Sequence, residues 1–563
     1  MIGELQSRIA SLVLAVYKET VVVELTRPEP QFGDFSTNVA LQLAKKIGRN
    51  PREVAQEIAN GLTQDEKIAS VEVAGPGFIN ICLSDGALLA ESEQPFPQVF
   101  NENFVIEYSC PNAFKELHTG HLYQTIVGDI LARLLERTGA KVYRTSFGGD
   151  VGLHVAKCVW GMVAELGGED PEKLADVEPT PFGRAQWISA CYVRGAAAYE
   201  EDAATKEAID ELNKTIYGLH EMDDRESPLA QIYWMTRQWS YDYFEAFYAL
   251  IDVDQMRYYP ESSTMPTGMK VVDEQLKLGN LQKSEGAVVF PEDKERHLHT
   301  RVFVTSKGLP TYETKDIGVI WLEKADYDFQ KRILITGNDQ KEYMRVVFAA
   351  TELFRPELAG TMTHITNGTV RFADGQKMSS RLGNVSRAAD VIEVVKEKVA
   401  ALVKDDTLVH PVALGAIKYA FAKNRLGGDI AFDIDETVSL QGNSGPYLQY
   451  AHARARSILS KADPADQIVI ADGTEATFTP DERLLLQKLS EYNEVITKSA
   501  RQYAQHHICT YLYELAQEFN RFYEKNRVIG DEREGLRVAL VQKYADTLQN
   551  GLHILGITTP ERM

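Results

Sequence analysis

The segment from Phe104 to Gly139 constrains the fold of this 563-residue chain more than any other. Phe104-Val105-Ile106-Glu107-Tyr108 reads as a buried strand, and Leu122, Ile126, Ile130, Leu134 and Leu135 then recur at helical spacing until Gly139 supplies a stop. Between them, Ser109 to His121 forms a loop that ends on two histidines three positions apart, with Gly120 between them, at the mouth of the predicted helix. Strand, loop and helix make the first half of a nucleotide-binding βαβ unit, where helix-end N–H groups and the positive end of the helix dipole attract phosphate. His118 and His121 would add side-chain donors, and Gly120 would let a nucleoside approach the backbone. The geometry suits a nucleoside triphosphate. A bare H-x-G-H also arises by chance, so a second signature is required.

That second signature is Gly375-Gln376-Lys377-Met378-Ser379-Ser380-Arg381-Leu382-Gly383-Asn384, a basic loop after the strand-like Thr361–Thr366 and the segment Val370-Arg371-Phe372. Lysine and serine side chains on such a loop neutralise charge that builds on a triphosphate while its α-phosphorus is attacked. Taken alone it would read as a solvated turn.

In this order, and separated by a long α/β segment, the two elements resemble the H-I-G-H and K-M-S-K-S signatures of class I aminoacyl-tRNA synthetases. Within that class the chain resembles the arginyl-tRNA synthetase family nearly end to end. The resemblance rests on Glu107-Tyr108-Ser109-Cys110-Pro111-Asn112, on Gly148-Gly149-Asp150-Val151-Gly152, and on Tyr312-Glu313-Thr314-Lys315-Asp316-Ile317-Gly318. Gly337-Asn338-Asp339-Gln340, the run from Gly442 to Arg454, and the terminal Pro560-Glu561-Arg562-Met563 extend it.

The fold class implied is α/β: a Rossmann-like catalytic domain with a small α/β N-terminal domain and an α-helical C-terminal bundle. Residues 1–95 would form the N-terminal module, in which Ser36 or Thr37 caps a helix ended by Gly48 and Asn50-Pro51 opens a second. The Val71–Val73 and Phe78–Ile81 segments read as strands, and Pro95-Phe96-Pro97 reads as a linker. The catalytic domain would span 100–385 with a mostly helical insertion at about 155–290. A helical connector would follow at 386–440. From 441 to 563, Leu485, Leu489 and Tyr492, and then Leu512, Leu515, Phe519 and Phe522, recur at helix spacing and argue for a bundle. The resemblance implies that the first module contacts the transfer RNA elbow and the last reads the anticodon.

Arginine is a long cation with a planar five-donor fork, so its site needs carboxylates, a flat wall and amide or carbonyl acceptors. Tyr312 and Asp316 lie four residues apart in a stretch readable as a helix after Pro310, and so share one face. Gln340 follows the apolar Arg332-Ile333-Leu334-Ile335, at a strand end where ligands of such sheets bind. The resemblance assigns Asn112, Tyr312, Asp316 and Gln340 to the amino acid, with Glu107 in the same pocket. It assigns His118, Gly120, His121, Lys377, Met378, Ser379 and Ser380 to ATP, which brings Mg²⁺ with it. A site built for a guanidinium rejects neutral analogues about 10⁴-fold or more without proofreading, so the insertion need not edit.

One position departs from the pattern. The second lysine of K-M-S-K-S is Ser380 here, followed by Arg381. Lys115, three residues before His118, is expected to take part of that role beside Lys377. His118, His121, Lys115 and Lys377 are therefore the expected catalytic residues.

The formal net charge is −21, which argues against indiscriminate nucleic-acid binding. It is uneven: residues 161–230 hold 6 Lys/Arg against 16 Asp/Glu, whereas 441–563 hold 14 against 16. Five scattered cysteines (Cys82, Cys110, Cys158, Cys191, Cys509) suggest neither a disulfide framework nor a bound zinc, and the N-terminus lacks a secretory pattern. A cytoplasmic enzyme is expected, and the family suggests a monomer. Its partners would be transfer RNA, arginine and ATP, with transfer RNA needed for activation. Two alternatives remain at this point: another synthetase of the class, and an RNA-binding relative whose catalysis has lapsed.

Overall fold

The structure is a computed structural model that describes residues 2–372, 387–462 and 477–563. The N-terminal module comprises α1 (Ile2–Tyr17), β1 (Phe35–Thr37), α2 (Val39–Ile47), α3 (Pro51–Leu62), β2 (Ile68–Ala74), β3 (Phe78–Leu83) and α4 (Asp85–Ser92). Local chemistry sets these limits. Gly48 ends α2 at φ 70°, and Asn50 Oδ1 accepts the Arg52 amide at 2.9 Å to start α3, with Pro51 in its first position. The strands form an antiparallel sheet in the order β1-β3-β2, against which Val39, Leu43, Val54 and Ile58 are buried.

The central domain begins with β4 (Asn103–Glu107), α5 (Thr119–Arg137) and β5 (Lys141–Gly148). Four helices follow: α6 (Leu153–Leu166), α7 (Pro181–Glu201), α8 (Ala203–Glu221) and α9 (Pro228–Leu250). The chain returns to the sheet at β6 (Arg257–Pro260), which leads directly into α10 (Glu261–Leu278). A small antiparallel sheet of β7 (Gln282–Ser284), β8 (Ala287–Phe290) and β9 (Arg301–Val304) precedes α11 (Tyr312–Tyr327). Then come β10 (Lys331–Gly337), α12 (Lys341–Phe354) and β11 (Met362–Asn367).

The main sheet is parallel throughout, in the order β11-β10-β4-β5-β6. Its strands are apolar on both faces because helices cover both, as Phe104, Val105, Ile106, Ile333, Leu334 and Ile335 show. From β4 the chain crosses to β5 on one side, and β10 pairs on the other. This reversal opens a crevice above the carboxyl ends of β4 and β10.

Past the main sheet, β12 (Val370–Phe372) pairs in parallel with a later strand, β13 (Ile430–Phe432), across α13 (Ala388–Ala400) and α14 (Val409–Ala422). The C-terminal bundle follows: α15 (Gly445–Leu459), α16 (Pro480–Ser490), α17 (Tyr492–Gln502), α18 (His506–Lys525) and α19 (Glu534–Ile554). Leu512, Leu515, Phe519 and Phe522 form one buried face of α18, and Leu485 and Leu489 one face of α16.

Candidate active site

The histidine pair owes its position to the loop between β4 and α5. Ser109, Cys110 and Phe114 all take positive φ (68°, 47° and 66°), conformations that persist only where surrounding contacts fix them. Helix α9 supplies those contacts. Ser109 Oγ lies 2.9 Å from the Tyr248 hydroxyl, the Phe114 amide donates to Ser240 Oγ at 3.0 Å, and the Leu117 amide donates to the Tyr243 hydroxyl at 3.2 Å. The helical insertion thus braces the loop that presents the signature.

His118 caps α5. Its Nδ1 accepts the Gly120 amide at 3.1 Å, and His121 Nδ1 accepts the His118 amide at 3.2 Å, so each ring closes one free donor of the helix end. The ring centroids lie 3.8 Å apart, with the planes tilted by 31°. With both Nδ1 atoms accepting, the protons of the neutral rings reside on Nε2. Burial and the charge of Lys115 push His118 down, and burial, His118 and Lys115 together push His121 down to about 3. Near neutral pH the pair therefore offers two uncharged N–H donors at the positive end of a 19-residue helix. Lys115 completes the cluster, its ammonium 4.4 Å from the ring of Tyr192 on α7.

The chain after β5 forms the opposite wall. A side chain at Gly148 would collide with the Pro111 carbonyl, a Cβ there lying 2.0 Å from its oxygen, which explains the glycine. The Gly149 amide donates to Asn112 Oδ1 at 2.8 Å, so the β4 and β5 loops hold each other. Asp150 is fully buried and binds Arg237 Nε at 2.8 Å, the Ser262 amide at 2.9 Å and Ser262 Oγ at 2.6 Å, which ties the turn to α9 and α10.

Residues expected to hold arginine occupy different depths. Asn112 and Tyr312 are exposed, and Tyr312 opens α11. One turn on, Asp316 is only 7% exposed and accepts the Tyr343 hydroxyl from α12 on Oδ2. Burial pushes its carboxyl up to about 7, against the pull of the Tyr343 bond and of Arg332. Glu107 lies deeper still, ion-paired with buried Arg332, whose Nε also binds Glu323 at 2.7 Å. It forms a floor beneath the cleft. Gln340 follows β10 on the surface and donates to Asp339 at 3.1 Å.

Five further residues stand around these groups. Lys315 pairs with Glu261 at 2.5 Å among buried surroundings, His154 packs against Gly149, and Tyr343 and Arg332 hold the two carboxylates. Glu261 directly follows Pro260 at a strand end, and the rule that singled out Gln340 would have found it. The basic loop with Lys377, Met378, Ser379 and Ser380 lies outside the described residues. The backbone of Arg387 bridges to that of His118. Among the described residues no group of His, Cys, Asp and Glu side chains is arranged to hold a metal ion, and no helix is long and apolar enough to cross a membrane.

A parallel sheet with a histidine-capped helix at its switch point, followed by a helical bundle, defines a class I aminoacyl-tRNA synthetase. Comparison with known proteins agrees: residues 86–433 match the description "tRNA synthetases class I (R), catalytic domain", residues 3–83 "Arginyl tRNA synthetase N terminal domain", and residues 448–563 "DALR anticodon binding domain". The arginine–tRNA ligase of Thermobifida fusca is 30% identical over 99% of this chain and 98% of its own, and that of Porphyromonas gingivalis 27% identical over 100% of both. The fold matches the arginyl-tRNA synthetases of Thermus thermophilus (TM-score 0.79, 24% identity, all of both chains) and Plasmodium falciparum (0.81, 18%, 100% and 99%). The chain belongs to the arginyl-tRNA synthetase family, class I enzymes that use ATP to join arginine to its transfer RNA.

Proposed function

We propose that this chain activates arginine on the histidine-capped end of α5 and transfers it to the terminal ribose of its transfer RNA. The observation that carries this reading is the commitment of both histidine Nδ1 atoms to the helix end, which leaves two neutral Nε2–H donors beside the Lys115 ammonium. MgATP enters as substrate, with its phosphates against His118, Gly120, His121 and Lys115 and with Lys377, Met378, Ser379 and Ser380 supplying the second set of contacts. The arginine carboxylate attacks the α-phosphorus in line, the bond to the bridging oxygen breaks, and pyrophosphate leaves. Lys115 and the Nε2–H groups neutralise the charge that grows on the oxygens, and catalysis is chiefly positioning and electrostatics.

Arginine lies with its guanidinium toward Tyr312, Asp316 and Gln340 and its α-amino end toward Asn112, above the floor made by Glu107 and Arg332. The 2′-hydroxyl of the terminal ribose then attacks the mixed anhydride and AMP departs. Residues 1–95 act on the transfer RNA elbow and 441–563 on the anticodon, joined by 386–440, and bound transfer RNA completes the site by induced fit. The protein works as a monomer in the cytoplasm, whose reducing conditions suit its five free cysteines.

Arginine-dependent ATP–pyrophosphate exchange, measured with transfer RNA present, tests the assignment. Lys115→Ala is expected to slow exchange at saturating substrates by about 100-fold, the scale of one lost charge-stabilising donor. An unchanged rate would remove Lys115 from the mechanism.

A further inference from the structure

Asp316 stands among charged and titratable groups from every element around it. Arg332 approaches from β10, Glu107 from β4, Glu261 from α10, Tyr343 from α12, and Glu313 lies on its own helix; Cys110 reaches the same group from the β4–α5 loop. One of these neighbours makes a direct hydrogen bond: the Tyr343 hydroxyl, half-buried on α12, donates to Asp316 Oδ2. Burial pushes the tyrosine well above its ordinary range, so it stays protonated and remains a donor. Near its ring lies Arg301, the guanidinium carbon 5.9 Å from the centroid.

A buried carboxyl that titrates near neutrality exists in two forms with different preferences. The carboxylate accepts from a guanidinium, whereas the carboxylic acid donates and so suits a neutral carbonyl of the same shape, as in a ureido group. A hydroxyl fixed on one oxygen stabilises the anion and leaves Oδ1 as the acceptor that faces a ligand. We propose that Tyr343 is a positioning and specificity-determining residue that keeps Asp316 ionised with one oxygen free, so that the site takes a guanidinium and refuses its neutral isostere. The inference rests on the reading that Asp316 grips arginine, and deepens it. Tyr343 acts through Asp316 and touches neither ATP nor the reacting carboxylate.

The test is the arginine KM in ATP–pyrophosphate exchange, with transfer RNA present, from pH 6 to 8.5, together with inhibition by citrulline, the neutral ureido isostere. The intact enzyme should show KM falling as pH rises through about 7. Tyr343→Phe should raise KM near pH 7 about ten-fold, move the midpoint upward by about one pH unit, and strengthen citrulline relative to arginine, with kcat at saturating arginine little changed. Asp316→Asn is the control and should raise KM and abolish the pH dependence. If Asp316→Asn raises KM but Tyr343→Phe shifts neither midpoint nor citrulline selectivity, the Tyr343 role is overturned and the arginine-site reading stands. If Asp316→Asn leaves KM unchanged, both fall. A fall in kcat in proportion to the rise in KM, with the midpoint unmoved, would mark Tyr343 as merely structural and overturn the proposal.

Discussion

Arg483, in the first turn of α16, lies 2.7 Å from Asp34 of the N-terminal module, and its other terminal nitrogen lies 2.6 Å from Asp85 of α4. Arg27 reaches Glu494 at 3.2 Å across the same seam. The two terminal modules thus meet directly. Asp34 is 2% exposed, so Arg483→Ala removes the cation from a buried carboxylate that the Leu83 amide still bonds at 2.7 Å, at a cost of about 3 kcal/mol. Lower thermal stability and faster proteolysis in the 93–102 linker are expected, with partial recovery in the Arg483→Ala/Asp34→Asn double variant. Identical melting of wild type and Arg483→Ala would contradict the latch.

The two roles assigned to each histidine separate chemically. Asparagine places an oxygen near the position of Nδ1 and preserves the helix cap, whereas glutamine places an N–H near Nε2 and preserves the donor. His121→Asn should therefore keep the helix and lose about 100-fold or more in the exchange rate, with the arginine KM little changed. His121→Gln should retain more activity but fray the first turn of α5, read as faster amide exchange at residues 119–122. The opposite ranking of rates would show that the cap, not the donor, matters.

Lys115 rests on an aromatic face, and that contact needs the ring and not its hydroxyl. Tyr192→Phe should be close to wild type in exchange. Tyr192→Ala frees the ammonium to wander and should lower kcat several-fold without raising the arginine KM. Equal losses in both variants would point instead to the packing of α7.

What was legible in the chain was what is local. The helix from Thr119 to Arg137, its glycine stop and its paired histidines are written in consecutive residues, and so are the caps at Asn50 and Gly48. Tyr312 and Asp316 were likewise readable as one helical face. The partners of these residues were not. Tyr343 is 27 positions from Asp316 and Arg332 is 225 from Glu107, and periodicity carries no information about which side chains a parallel sheet brings together. Glu107 illustrates the limit: its place at a strand end was readable, whereas its commitment to a buried arginine depends on β10 pairing beside β4. Gly148 is a related case, since the reason for the glycine is a carbonyl on another loop.

Glu482 offers a pH-dependent test of the bundle that is independent of catalysis. It occupies the third position of α16, where its side chain accepts the Thr479 amide at 2.9 Å while Thr479 Oγ1 accepts the Glu482 amide, and it also binds Arg533 and, at 2.9 Å, Arg537. Burial would raise its carboxyl, but the hydrogen bonds from Arg533, Thr479 and Arg537 outweigh that and hold it down at about 2. Because the folded value lies below the ordinary one, the stabilisation is fully present above about pH 4.5 and is lost as pH falls toward 2. A shift of this size corresponds to about 3 kcal/mol at most. Hydrogen exchange in peptides covering residues 479–490 should therefore accelerate steeply between pH 4.5 and 2, after correction for the intrinsic rate. Glu482→Gln should exchange faster at pH 7, and its difference from wild type should shrink as the pH falls. A difference that stays constant across that range would mean that the charge of Glu482 does not hold the cap, and that packing beneath Leu485 and Leu486 does.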